Sequence, residues 1–162
     1  MKARRKSRAL AILGLTATLL AGGIVASQSA SAVIGGGGCR LKGYAPEPGG
    51  ILLKPCSEGW ALEGVDVISG YTYVQNPNGI PIDVCMQVYR VNADNSTTYV
   101  ANLGCNGWSN DTTSGWEARG QDPMVWDGPS QGTFVIQAGY WATIDGVYAY
   151  YGGAQSARIQ EY

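Results

Sequence analysis

Three carboxylates, Glu117, Asp122 and Asp127, lie close together in the chain beside Trp116 and Trp126. Paired carboxylates next to aromatic rings are the equipment of glycoside hydrolysis. This is the main catalytic route left open, because the 162 residues include no His, which is the commonest general base. Such a pair needs a cleft deep enough to raise one pKa. A domain this small seldom encloses one, so solvated loop carboxylates are the expectation. Gly128-Pro129-Ser130-Gln131-Gly132 has the Gly-x-Ser-x-Gly spacing of a nucleophile elbow. The elbow requires a strand before the Ser, a helix after it and a His to take the proton. Here Pro129 precedes the Ser, a strand pattern follows, and the segment reads as a turn. The four Cys lack C-x-x-C spacing, so no metal centre is expected. Neither catalysis nor a cofactor is expected.

Aromatic rings are the remaining candidates. Five Trp, ten Tyr and one Phe all lie beyond residue 32. A small core absorbs few of them, and the rest must sit on faces or loops, where a flat ring can stack on a sugar or anchor a protein. Trp141, Tyr148 and Tyr150 are expected to form one ligand-binding patch, with Trp108 and Trp116 as another.

The strongest positioning element is the run from Gly132 to Gln160. Two β-branched and aromatic stretches meet at Asp145-Gly146, a pair that favours a two-residue hairpin turn. That turn pairs Ile144 with Val147, Ala142 with Ala149 and Tyr140 with Tyr151. The alternate face pairs Thr143 with Tyr148 and Trp141 with Tyr150. The first face continues through Ala138, Ile136 and Phe134 and reads as core. The second reads as exposed, and Gly152-Gly153 as a bulge. Further strands are predicted over 64–75, 82–91 and 98–103. Short edge strands are predicted over 116–119 and 124–126, with a polar loop over 106–115. No window holds a helical period. The expected fold is all-β: a small disulfide-bonded β-sandwich, immunoglobulin-like in the first instance, with an open β-barrel as the alternative.

Residues 1–32 read as a secretory signal peptide. Lys2, Arg4, Arg5, Lys6 and Arg8 form a basic start, Ala9–Ala26 is apolar, and Ala30-Ser31-Ala32 offers a cleavage site. The long Ala- and Gly-rich stretch resembles the signals of Gram-positive bacterial exports. Residues 33–58 read as a Gly/Pro-rich leader and a largely irregular first disulfide loop, with a short strand over Ile51–Lys54. Residues 59–162 read as the sandwich core, and 33–162 as one domain. An even set of Cys in an exported chain implies a disulfide framework. The expected pairs are Cys39–Cys56 and Cys85–Cys105, the second closing the open end of a hairpin.

Beyond residue 32 the chain carries 6 of the 11 basic residues and all 12 acidic ones, a net charge of 6 − 12 = −6. That balance disfavours nucleic acid and anionic membrane surfaces as partners. After signal cleavage no membrane association is expected, and the protein is expected as a monomer outside the cell.

Pro123-Met124-Val125-Trp126-Asp127 resembles the exposed reactive-site segment of the subtilisin-inhibitor-like proteins, which are also secreted, two-disulfide and β-rich. The resemblance implies that Met124–Val125 would be the bond offered to a protease. It covers five residues. Asp122 stands where that family has a tethering Cys, and the other Cys spacings differ. The sequence therefore points first to a secreted non-enzymatic module that binds a glycan or cell-wall polysaccharide. A secreted protein-binding or protease-inhibitor-like role is the alternative.

Overall fold

A computed structural model describes residues 34–62, 65–126 and 132–161. The segment expected as a signal peptide, with Val33, Glu63, Gly64, Asp127, Gly128–Gln131 and Tyr162, lies outside the described residues. Twelve strands form among the described residues: β1 (Ile34–Gly36), β2 (Gly38–Cys39), β3 (Ala45–Pro46), β4 (Leu52–Leu62), β5 (Val65–Gln75), β6 (Ile82–Val91), β7 (Thr97–Ser109), β8 (Trp116–Arg119), β9 (Met124–Trp126), β10 (Gly132–Ile144), β11 (Val147–Gln155) and β12 (Ile159–Glu161). They divide into two antiparallel sheets packed face to face, so a sandwich forms and not an open barrel. In the first sheet β10 is central. β6 and then β7 lie along one edge of it, and β11 and β12 share the other, with β1 outside β12. In the second sheet β4 and β5 pair along their length. β2 and β3 share the free edge of β4, and β8 and β9 share that of β5.

The β10–β11 hairpin has the register that its turn residues dictate. Ile144 faces Val147, Tyr140 faces Tyr151 and Trp141 faces Tyr150. Asp145 (φ 52) and Gly146 (φ 79) both take the left-handed conformation that a tight primed turn demands. The ladder shifts between Ala138 and Gly139, opposite Gly152, where the paired glycines allow a bulge.

Alternation then fixes the core. Phe134, Ile136, Ala138, Tyr140 and Ala142 point inward from β10, and Ile82, Val84, Met86 and Val88 from β6. Ile51, Leu53, Ile68, Val74 and Ala118 meet them from the second sheet. Tyr140 is fully buried, and its hydroxyl donates to the Pro48 carbonyl in the turn before β4. Burial, and then the charge of Glu47, pushes that hydroxyl's pKa up.

At Gly70 of β5 the second sheet packs directly against Ile136 of β10. A Cβ there would lie 2.8 Å from the Ile136 Cγ2, well inside carbon–carbon contact distance. Gly70→Ala is expected to cost about 2 kcal/mol by overpacking, read as a lower denaturant midpoint with unchanged m-value. Ile136→Ala removes both Cγ atoms that the new Cβ would meet, so in that background the added cost of Gly70→Ala should be smaller than in the wild type. If Gly70→Ala were neutral, the sheets would not be in contact at this point.

Both expected disulfides form, Cys39–Cys56 and Cys85–Cys105. Each joins neighbouring strands of one sheet. The bridge between sheets that marks antibody-type sandwiches is therefore not the arrangement here.

Two readings of the N-terminal part need revision. Ile34–Gly36, expected as flexible leader, pairs with Ile159–Glu161. The 39–56 loop is not mainly irregular either, since it supplies β2, β3 and the first half of β4, with Ile51 and Leu53 fully buried. The 58/59 boundary falls inside β4. Pro55 explains why the edge of β4 looks broken in sequence. Its carbonyl accepts from the Arg40 amide, so its missing N–H faces the same edge, between β2 and β3, and no continuous strand can pair there.

Candidate functional site

The outer face of the β7–β6–β10–β11 sheet carries a row of rings. Side-chain alternation sends Trp141 outward from β10, and Tyr148 and Tyr150 outward from β11. Trp141 and Tyr148 stack at 5.4 Å between ring centres with 19° between planes. Tyr150 meets Trp141 edge-on at 5.4 Å. Trp108 of β7 stands 6.3 Å from Tyr148, with 32° between the ring planes. Trp108 and Tyr148 are 57% and 60% exposed, against 38% for Trp141 at the centre.

Trp108 reaches the row because β7 is irregular. Over the paired stretch β6 has 10 residues and β7 has 13. Three register shifts absorb the difference. They bring Cys105 opposite Cys85 and Trp108 opposite Asp83. The Asp83 carboxylate accepts from the Gly107 amide at 2.9 Å and so holds the bulge that aims Trp108. Residues 106–109, expected in a polar loop, are thus the end of a strand.

Beside the row lies a depression of about 380 Å³, lined by Trp141, Tyr150, Gln87, Asn102 and the Cys85–Cys105 pair. Tyr150 lies across Gly139, where any side chain would collide with its ring and hydroxyl. That hydroxyl is buried, has no partner among the described residues, and is pushed up to about 12, chiefly by burial. The Gln87 carbonyl oxygen accepts from the Tyr89 hydroxyl and that of Asn102 from the Gly104 amide. Their amide nitrogens have no partner among the described residues. Tyr89 and Tyr99 continue the aromatic surface as an edge-to-face pair at 5.8 Å. Tyr99 escaped the sequence reading, although pairing outward from the Asn92–Ser96 turn places it opposite Tyr89.

Trp116 does not belong with Trp108. It lies in β8 of the other sheet, half-buried against the core, with its indole N–H buried and without a partner among the described residues. It shares the inward parity of Ala118, which is fully buried.

Glu117 is ion-paired to Arg119 at 2.6 Å, Asp122 is exposed in a turn, and Asp127 lies outside the described residues. The reactive-site resemblance also meets a different geometry. Met124–Trp126 is a strand paired with Asp66–Ile68 of β5, and Met124 is buried. Asp83, Cys85 and Cys105 place three ligand-type atoms within 4.8 Å of one another. The two sulfurs are bonded to each other, however, and offer no thiolate.

One carboxyl pair does form, where it was not expected. Asp66 of β5 and Glu161 of β12 are both buried and join the two sheets. Burial first, then the neighbouring Asp66 carboxyl, push Glu161 up to about 7, against the opposing Arg90 guanidinium, and the Glu161 Oε2 is buried with no hydrogen-bond partner among the described residues. Asp66 has the same inward parity as Ile68 and Gly70, which was the available signal.

This pair sets an expected pH dependence. Glu161 in the unfolded chain ionises near 4.5 and in the folded chain near 7. Between those values the folded state holds a proton that the unfolded state has lost. The stability contributed by this group is therefore complete below about pH 4.5, lost as pH rises to about 7, and flat above. The full shift would correspond to roughly 3 kcal/mol, and water access at the sandwich end reduces this to about 1–2 kcal/mol. Glu161→Gln keeps a donor and removes the titration. It should raise Tm at pH 8 and leave it nearly unchanged at pH 4.5. Parallel Tm–pH curves for the two proteins would contradict the pairing.

Among the described residues no helix is long and apolar enough to cross a membrane. Compared with known proteins, the chain matches no family model, no curated protein and no solved structure.

Proposed function

We propose that the protein is a secreted, non-enzymatic binding module that recognises an extracellular glycan, with cell-wall polysaccharide as the ligand class. The supporting observation is the row Trp108–Tyr148–Trp141–Tyr150 beside the disulfide-floored depression. A sugar ring has apolar C–H faces and a belt of hydroxyls. Aromatic surface takes the first, and the Gln87 and Asn102 amides are placed to take the second. Mutual stacking holds the rings in place before a ligand arrives, so little side-chain entropy remains to be lost on binding. The signal-like leader and the two disulfides fit export to an oxidising compartment.

The same row could anchor a protein, which is the alternative partner. Its protease-inhibitor form is not favoured, because the Met124 side chain is in the core. Titration with soluble cello-, xylo- and chito-oligosaccharides separates the readings. Glycan recognition predicts a saturable change in Trp fluorescence with one series. A flat response to all three, with retained binding to a protein ligand, would favour the alternative.

A further inference from the structure

A second surface, made of different residues, is distinguished by its charge. The end of β1 with the next residue (Gly36, Gly37), the β2–β3 loop (Arg40–Lys42), the end of β11 (Gly153–Gln155) and the β11–β12 connection (Ser156–Arg158) enclose an open groove of about 880 Å³. Eleven residues line it; Arg40, Lys42 and Arg158 are cationic and none is acidic.

That composition runs against the rest of the chain. Beyond residue 32 there are only 6 basic residues against 12 acidic ones, so half of the cations gather in one groove. Of the three cations elsewhere, Arg119 pairs with Glu117 and Glu58, Arg90 opposes the Glu161 carboxyl, and Lys54 lies over the Tyr73 ring. Among the described residues no carboxylate lies within ion-pair distance of Arg40, Lys42 or Arg158. Their hydrogen bonds go to neutral groups. Arg158 donates to the Asn95 side-chain oxygen at 2.8 Å and Arg40 to the Gly43 carbonyl at 3.5 Å. The first of these aims the Arg158 guanidinium and leaves most of its donors free. Glycines at 36, 37 and 153 leave the groove open to an incoming chain. Leu41, 92% exposed, adds an apolar contact on the loop that carries Arg40 and Lys42.

We propose that this groove binds an anionic polymer through its oxyanion groups, phosphodiester or carboxylate. Three cations without an ion-pair partner around a concave surface focus positive potential there, although the molecule as a whole is acidic and Glu47 interacts with Arg40 at longer range. Guanidinium forks suit planar or tetrahedral oxyanions. An anionic chain meets repulsion over most of this protein and attraction only at the groove, which selects the site as well as the ligand.

The test measures binding of the full chain to poly(glycerol phosphate), to polygalacturonate and to neutral dextran, at low and high salt. The expected result is binding to one or both polyanions and not to dextran, weakening as salt rises. The arm that binds identifies the source of the oxyanion. Lys42→Glu, at an exposed position, should weaken binding roughly tenfold, or about 1.4 kcal/mol. Lys54→Glu makes the same change in net charge on the β4–β5 sheet and should alter affinity less than about twofold. The leader cations are common to all variants. Neutral-glycan binding at the aromatic row should be unchanged in Lys42→Glu, so failure of this proposal and failure of the glycan proposal are separable. Equal weakening by both reversals, or no binding to either polyanion at low salt, would overturn it.

Discussion

Trp141→Ala is expected to weaken glycan binding roughly 30-fold, the scale of a central hot-spot residue worth about 2 kcal/mol. Trp141 is the hub of the row. It stacks on Tyr148, meets Tyr150 edge-on and forms one wall of the depression. Its removal leaves Trp108 and Tyr148 without a backing surface and lets Tyr150 tilt into the gap. Stability should fall less, by about 1–2 kcal/mol, since each lost ring pair is worth roughly 0.5–1.5 kcal/mol. Tyr148→Ala, at the most exposed ring of the row, should weaken binding with even less effect on folding. Trp60→Ala provides the control: that ring is 43% exposed, but lies on β4 of the opposite sheet. Isothermal titration of the three variants decides. Equal losses for Trp60→Ala and Trp141→Ala would mean that the row has no special role.

The Cys85→Ala/Cys105→Ala protein is expected to lose about 3 kcal/mol of stability by the chain-entropy estimate for a 20-residue separation. This corresponds to roughly 10 °C in Tm. A second effect is more specific. The β6–β7 ladder shifts register three times, so its hydrogen bonds specify the pairing weakly, and the disulfide pins it. Without the bond β7 can slip, and Trp108 loses its place opposite Asp83. Glycan binding should therefore fall along with stability, even at temperatures where the variant is fully folded. Removing Cys39–Cys56, with a separation of 17, should cost a similar amount, again about 3 kcal/mol, and leave the row intact. Thermal melts and binding isotherms of the two variants provide the check. Equal binding in both would contradict the pinning role.

Much of this surface was legible in the sequence, and where it was not, the obstacle was physical. The β10–β11 hairpin could be read residue by residue, because Asp145-Gly146 fixes the turn and the period of two does the rest. Trp141, Tyr148 and Tyr150 thus fall together without any knowledge of other strands. Trp108 was not placed, because three bulges change its facing; Gly104 and Gly107, both in the left-handed region, mark two of them and were the available signal. Trp116 was misgrouped by its polar neighbours, whereas parity with Ala118 turns it toward the core. Ile34–Gly36 looked like a flexible run because its partner, Ile159–Glu161, lies at the far end of the chain. Pairing over that distance depends on tertiary packing and not on local preference. The Asp66–Glu161 contact was hidden for the same reason.

The central claim is that the aromatic row holds a glycan. The most direct measurement is depletion of the protein from solution by insoluble chitin, cellulose, xylan and peptidoglycan, for the wild type and Trp141→Ala in parallel. Depletion by one polymer, relieved in the variant and retained in Trp60→Ala, is the predicted result. No depletion by any of the four, or depletion that Trp141→Ala leaves untouched, would contradict it.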